Sequence, residues 1–321
     1  MSNDIAVSVE KLEKRFGDFT AVNKINFEVA KGEIFGFLGP NGAGKSTTIR
    51  MLCGILTPTS GEGRVGGFDI NHQQEEIKEN IGYMSQKFSL YDDLTVEENI
   101  NFYGGIYKLP RSRLAKRKEE IIKLADIEPF RKRLTKTLSG GWKQRLALGC
   151  AIIHEPKIIF LDEPTSGVDP ITRNNFWKII KEMAASGITV FVTTHYMDEA
   201  ENCSRMTLIY KGNIIAMGTP KEMKTKFMAN DIVQISVPEP EVWMERLKTE
   251  PLVKEAALFG SFIHVVVQDA KEAVPVLKGL IEKDKVEGFT VNRIEPSLED
   301  VFVSLIEEYD AGNNKNEHQK S

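Results

Sequence analysis

The apolar-rich, strand-like runs IAVSV, INFEVA and EIFGFL within residues 5–38 alternate with turn signals at Gly17 and at Lys31-Gly32. The pattern predicts an antiparallel β layer feeding a central strand. From Gly39 it changes to strand, glycine loop and helix, and two later apolar runs, KIIFLD (157–162) and ITVFVTT (188–194), read as buried strands. NNFWKIIKEMAAS between them has helical spacing, so this region is α/β with a mostly parallel core sheet. Residues 87–150 carry apolar positions at mixed threes and fours and predict a helical insertion.

After residue 230 the texture changes. IVQISV, EVWMERLKTE, VKEAALF, FIHVVVQ, EAVPVLKGLIEK and FTVNRI read in order as βαββαβ, followed by a helix at SLEDVFVSLIEEY, which is the element string of a ferredoxin-like α+β domain. The expected division is therefore residues 1–230, with the helical insertion inside it, an accessory domain at 231–309, and a tail. That tail, DAGNNKNEHQKS from Asp310, has too few apolar residues to pack and is expected to be disordered. In the last helix Leu298, Val301, Phe302 and Leu305 share one face and are expected to dock on their own domain.

Composition narrows the function classes. The 321 residues suffice for one large core and one smaller one, and the net charge of -4 gives no reason to expect nucleic-acid binding. The basic run RSRLAKRK (111–118) reads as a solvated helix face. Three cysteines at unrelated spacings fit neither a disulfide framework nor a zinc site, and point to a reducing compartment. The segment MSNDIAVSVEKLEKRF has no apolar targeting core, and no apolar run reaches the roughly eighteen residues of a membrane span. A cytosolic protein is expected, linked to a membrane only through a partner.

FLGPNGAGKSTTIRML fits the phosphate-binding loop G-x-x-x-x-G-K-[ST] at Gly39, Gly44, Lys45 and Ser46. Glycines let backbone N–H groups curl around a β-phosphate, the helix N-terminus adds partial positive charge, Lys45 reaches the β and γ oxygens, and Ser46 ligates Mg²⁺. Asn41, Gly42, Ala43 and Thr47 complete the candidate nucleotide-binding set. Asp162 and Glu163 end a buried strand, where adjacent carboxylates are costly unless a cation or a reacting water uses them. Alternation of strand side chains lets Asp162 serve the Mg²⁺ water shell while Glu163 acts as general base on the attacking water.

GPNGAGKST, Ser85-Gln86, LSGG at 138–141, LDEP at 161–164, SGVD at 166–169 and TTH ending at His195 stand in an order and spacing that resemble the ATP-binding cassette family over about residues 5–225. The resemblance implies a P-loop NTPase with ATP and Mg²⁺ as cofactors. It implies that Gln86 touches Mg²⁺ or the attacking water, that Ser139, Gly140 and Gly141 close over ATP held by an opposite subunit, and that Asp169 lines the contact between subunits. It makes His195 a γ-phosphate ligand beside the general base Glu163, and Phe16 the ring that stacks on adenine, with Phe19 as its competitor.

The family's composite sites imply a homodimer or heterodimer of cassettes on the cytoplasmic face of a membrane, bound to an integral permease and not to nucleic acid. EPSLEDVF, HEPKIIFLDEPTSGVDP and Trp142 resemble the exporter ATPases of ABC-2 type. A soluble cassette acting in translation or DNA maintenance is the alternative; such proteins usually carry two linked cassettes or a long coiled-coil insertion, and neither is present. Phe88, Tyr91 and Leu94 either line the groove for a permease helix or pack in the core. Trp142 stands where the family usually has glutamine and either meets the facing subunit or turns inward at the start of its helix.

Overall fold

The computed structural model describes residues 4–228 and 230–318, by backbone alone from residue 312 on. The chain divides into two compact units, Met1–Met217 and Gly218–Ser321. In the first, β1 (Ile5–Phe16), β2 (Phe19–Ala30), β4 (Ser60–Val65) and β5 (Phe68–Asp69) form an antiparallel sheet in the order β2-β1-β4-β5. The central sheet combines β3 (Ile34–Leu38), β6 (Ile81–Met84), β7 (Ile158–Asp162), β8 (Thr189–Thr194), β9 (Arg205–Tyr210) and β10 (Asn213–Gly218) in the order β10-β9-β3-β8-β7-β6. The pairs β9-β3, β3-β8, β8-β7 and β7-β6 are parallel.

Every position of β3, β7 and β8 is buried, as a strand covered on both faces requires. Alternation sends Phe35, Phe37, Phe160 and Phe191 towards the antiparallel layer, where they cluster with Phe27 at centroid distances of 5.4–6.0 Å. Val190, Val192, Ile159 and Leu161 belong to the other core, with residues of the helices α3 (Val96–Ile106), α4 (Arg111–Leu124), α5 (Gly140–Ala151) and α6 (Pro170–Ala185). Each such fully buried ring or aliphatic chain is worth roughly 1.5–3 kcal/mol of transfer free energy. The remaining helices of this unit are α1 (Lys45–Leu52), α2 (Gln74–Asn80) and the four-residue α7 (Met197–Ala200).

The helical insertion occupies the expected stretch, with Thr95 and Glu98 forming a capping box at the start of α3. The basic run lies on α4, where Arg113 pairs with Glu155, Arg117 with Glu120 and Lys118 with Glu97. All three cysteines are buried, and desolvation pushes their thiols up. No described helix is long and apolar enough to cross a membrane.

The second unit contains α8 (Pro220–Lys226), β11 (Asp231–Ser236), α9 (Pro240–Leu247), β12 (Val253–Phe259), β13 (Phe262–Val267), α10 (Ala270–Lys283), β14 (Thr290–Ile294) and α11 (Leu298–His318). Its sheet is antiparallel in the order β12-β13-β11-β14. Two expectations shift. The division falls at 217/218 instead of 230/231, because α8 packs with α11 of the same unit. The tail expected to lack structure from Asp310 is helical to His318: once Leu298, Val301 and Leu305 are buried, each further helical residue is added without a new nucleation cost. Residues 319–321 lie outside the described residues.

Candidate nucleotide site

The loop between β3 and α1 is shaped by its glycines. A Cβ on Gly39 would stand 2.2 Å from the Ile209 carbonyl, and Gly44, at φ +110°, has room for none beside the Ala21 carbonyl at 2.5 Å. The loop is thus pressed onto β9 and β2, and α1 starts with its N–H groups facing the cleft. Lys45, buried, donates to the Gly39 carbonyl at 2.8 Å and the Pro40 carbonyl at 3.1 Å. A cleft of about 600 Å³ is lined by Phe16, Phe19, Ala21, Asn41, Gly42, Gly44, Lys45, Ser46, Thr47, Gln86, Glu163, Ser166 and His195. Phe16 and Phe19 face each other across the β1-β2 hairpin, and both rings are exposed.

The paired carboxylates separate as strand alternation requires. Asp162 Oδ1 accepts from Thr193 Oγ1 at 2.7 Å and from Ser46 Oγ at 3.1 Å. Burial holds its carboxyl above the usual range, against the opposing hydrogen bonds from Thr193 and Ser46. Glu163 sits at φ +47°, a left-handed conformation that costs on the order of 1 kcal/mol for a residue with a Cβ. Its N–H is held by Thr193 Oγ1 at 3.0 Å and the Thr193 carbonyl at 3.1 Å. The turn aims the Glu163 carboxylate back into the cleft. Lys45 Nζ lies 3.1 Å from one of its oxygens; Gln86 Nε2 donates to the other at 3.0 Å, and His195 Nδ1 lies 3.2 Å from it.

The residues fit a hard divalent cation. Ser46 and Asp162 supply oxygen alone, one hydroxyl and one carboxylate, beside the loop that would hold phosphates, and Mg²⁺ completes such sites with substrate oxygens and water. Among the described residues no group of three His, Cys, Asp or Glu side chains forms a protein-only metal cage.

Not all the expected residues meet here. Gly39 and Ala43 support the loop from behind, with Ala43 buried. Ser139 and Gly140 are exposed at the start of α5, and they, Gly141 and Asp169 lie outside the cleft lining. Asp169 caps α6, accepting from the N–H groups of Ile171 and Thr172 at 3.0 Å and from Thr172 Oγ1 at 2.6 Å. Trp142 turns inward: its ring lies 4.5 Å from that of Phe130 and 4.8 Å from the Arg145 guanidinium, against the helical core. Phe88 lines an apolar cleft of about 290 Å³ beside Ser85 with Leu90, while Tyr91 packs edge-on against Phe102 and Leu94 lies outside that lining. Sequence reasoning missed Thr193, one of three threonines in the strand TVFVTT, and Ser166 as a lining residue.

The ABC transporter family profile matches residues 22–166, and a profile for the C-terminal domain of DrrA1-3-like ATP-binding proteins matches residues 218–306. The linearmycin resistance ATP-binding protein LnrL of Bacillus subtilis (strain 168) is 34% identical over 303 residues, covering 93% of this chain and 97% of that protein. The chain belongs to the ABC transporter ATP-binding proteins. Over 231 residues this ABC protein is 50% identical to the probable multidrug ABC transporter ATP-binding protein YbhF of Escherichia coli (strain K12). That match covers 71% of the chain but spans only 39% of the length of YbhF. The dimeric ATP-binding cassette MJ0796 in a post-hydrolysis state, bound to ADP and Pi, superimposes with a TM-score of 0.61 at 28% identity, covering 66% of this ABC chain and 98% of that one.

Proposed function

We propose that the chain binds and hydrolyses MgATP as one of two cassettes and drives a separate membrane permease in export. One observation carries the reading: Lys45, Gln86 and His195, on three different elements, converge on the two oxygens of the single carboxylate of Glu163. Cationic and polar donors so placed suit a γ-phosphate, which competes for them and leaves Glu163 facing a water. Lys45 and the loop amides then hold the β and γ oxygens, Phe16 and Phe19 offer ring faces to the base, and His195 donates towards the developing charge. Glu163 takes the proton of the attacking water, oriented by Gln86. Ser46 would hold Mg²⁺ directly and Asp162 through its water shell, and the ion supplies neutralisation of phosphate charge.

Ser139, Gly140 and Gly141 lie outside the cleft lining of their own chain, which suits closure over ATP held by a second copy or a paralogue, with Asp169 beside that contact. The exporter reading draws on the names of relatives, including Nod factor export ATP-binding protein I of Ralstonia nicotianae (strain ATCC BAA-1114 / GMI1000), 34% identical over 93% of both chains. It places the protein on the cytoplasmic face of a membrane, through its permease, with residues 218–309 as an accessory domain. Co-expression with the candidate permease tests it: ATP hydrolysis and co-purification with an integral membrane protein are expected. Hydrolysis without any membrane partner would favour a soluble cassette.

A further inference from the structure

We propose that Glu199 is a positioning residue of the hydrolytic site, clamping with Gln144 the segment 164–169 and so fixing Ser166 and His195 relative to Glu163. The proposal rests on the hydrolytic reading above. Glu199 lies on α7, just after His195, and is 1% exposed. Its Oε1 accepts a short hydrogen bond from Thr165 Oγ1, two residues after Glu163, and lies 3.4 Å from Arg173 Nε on α6. From the other side Gln144 of α5, fully buried, donates a short hydrogen bond to the Pro164 carbonyl. The two grips fall on adjacent residues, between the carboxylate of Glu163 and Ser166 at the cleft wall.

A second line of contacts runs from Glu199 to the histidine. The Arg173 guanidinium lies 4.0 Å from the centre of the Tyr196 ring, and that ring lies 4.1 Å from the ring of His195. The Tyr196 N–H is held by Thr194 Oγ1 at 3.0 Å, which fixes the turn between β8 and α7. Burial raises the Glu199 carboxyl, against the hydrogen bond from the Thr165 hydroxyl and the charge of Arg173. An apolar side chain of similar size would fill the position at lower desolvation cost. What the carboxyl adds is a directed bond from α7, which follows His195, to the segment that follows Glu163, and small displacements of catalytic groups are expensive in rate.

The test uses the full chain carrying Thr165→Val, Thr165→Ser or Glu199→Gln, with three readouts: ATP affinity, kcat, and the ring resonances of His195 in isotope-labelled protein without nucleotide. Thr165→Val is expected to lower kcat on the order of tenfold with ATP affinity within about twofold of wild type. Thr165→Ser should restore the rate, and Thr165→Val should shift the His195 resonances. Unchanged kcat in Thr165→Val, or unshifted His195 resonances, overturns the proposal. If wild type itself fails to hydrolyse ATP, the hydrolytic reading falls and the His195 spectrum alone decides the clamp. Should Thr165→Val fail to fold, Glu199→Gln, which keeps an acceptor for Thr165 but removes the charge facing Arg173, tests the line through Arg173 and Tyr196: unshifted His195 resonances there overturn the proposal.

Discussion

Lys45 Nζ stands 3.1 Å from Glu163 Oε1, and the two side chains are only 4% and 6% exposed. A buried ion pair of this kind gains little net stability over an apolar pair, because both charges have left water. Its value lies in what each partner does when phosphate arrives. Glu163→Gln preserves shape and an acceptor for Lys45 while removing the base. ATP binding should persist, turnover should fall by about a hundredfold or more, and an ATP-bound dimer should accumulate on gel filtration. Lys45→Met should lose binding as well. Unchanged turnover in Glu163→Gln would remove that residue as the base.

If Ser139 and Gly140, which lie outside the cleft lining of their own chain, close the site of a second cassette as proposed, hydrolysis is a property of pairs. Rate should rise more than linearly with protein concentration in dilute solution. A Lys45→Met chain mixed with a Ser139→Arg chain should regain part of the activity that each lacks alone, since a mixed pair holds one site with both halves intact. Strict linearity, or no recovery on mixing, would mean that each chain works by itself.

Trp142 packs on Phe130 and under Arg145 in its own cassette, so it contributes to the helical core. With Trp177 and Trp243 replaced by phenylalanine, its emission should barely change when Glu163→Gln protein dimerises on ATP. Trp142→Ala should cost about 1–3 kcal/mol in urea denaturation, reduced from a full aromatic truncation because the ring is only half-buried. A large spectral shift on dimerisation would instead put the indole at the contact between subunits.

What could be read from the sequence follows from how local each signal is. The apolar runs of β7 and β8 and the glycine loop are contiguous, so they foretold buried strands and a loop leading from a strand into a helix, and the structure has both. Convergence of Gln86 and His195 on Glu163 depends on the β6-β7-β8 register, which no window of sequence contains. The resemblance to a family supplied that expectation; periodicity did not. Thr193 escaped notice because one threonine among the three of β8 looks like any other strand residue until its partner Asp162 is placed beside it. The unit boundary was misplaced for a similar reason: α8 is joined to the second unit by packing with α11, not by a change in composition.

Phe16 and Phe19 are paired across a hairpin and both exposed, 50% and 62%, in the wall of the cleft. Stacking of a base on one aromatic ring is worth roughly 1–3 kcal/mol. If the two rings share the base, Phe16→Ala and Phe19→Ala should each weaken ATP binding by several-fold, and the double variant by more than either. Calorimetric titration with the Glu163→Gln chain separates this from turnover. Full affinity after both changes would place the base elsewhere.

Glu255 on β12 is pushed up to about 7 from its ordinary 4.5, first by burial and then by the carboxylates Glu307, Asp300 and Glu308 of α11. The sign follows from proton binding: between those two values the folded state holds a proton that the unfolded state has released, so the stability tied to this group falls as pH rises through 7. Above that, an ionised Glu255 faces Glu307 and strains the seat of α11. Glu255→Gln removes the charge and keeps a donor for Glu307. It should stabilise the second unit at about pH 8 by about 1 kcal/mol, a figure scaled down because the pair is partly open to solvent, and the gain should shrink towards about pH 5. Trp243, buried on α9, reports unfolding of this unit once Trp142 and Trp177 are replaced by phenylalanine. Equal midpoints for wild type and variant at both pH values would show that α11 does not rest on this carboxyl.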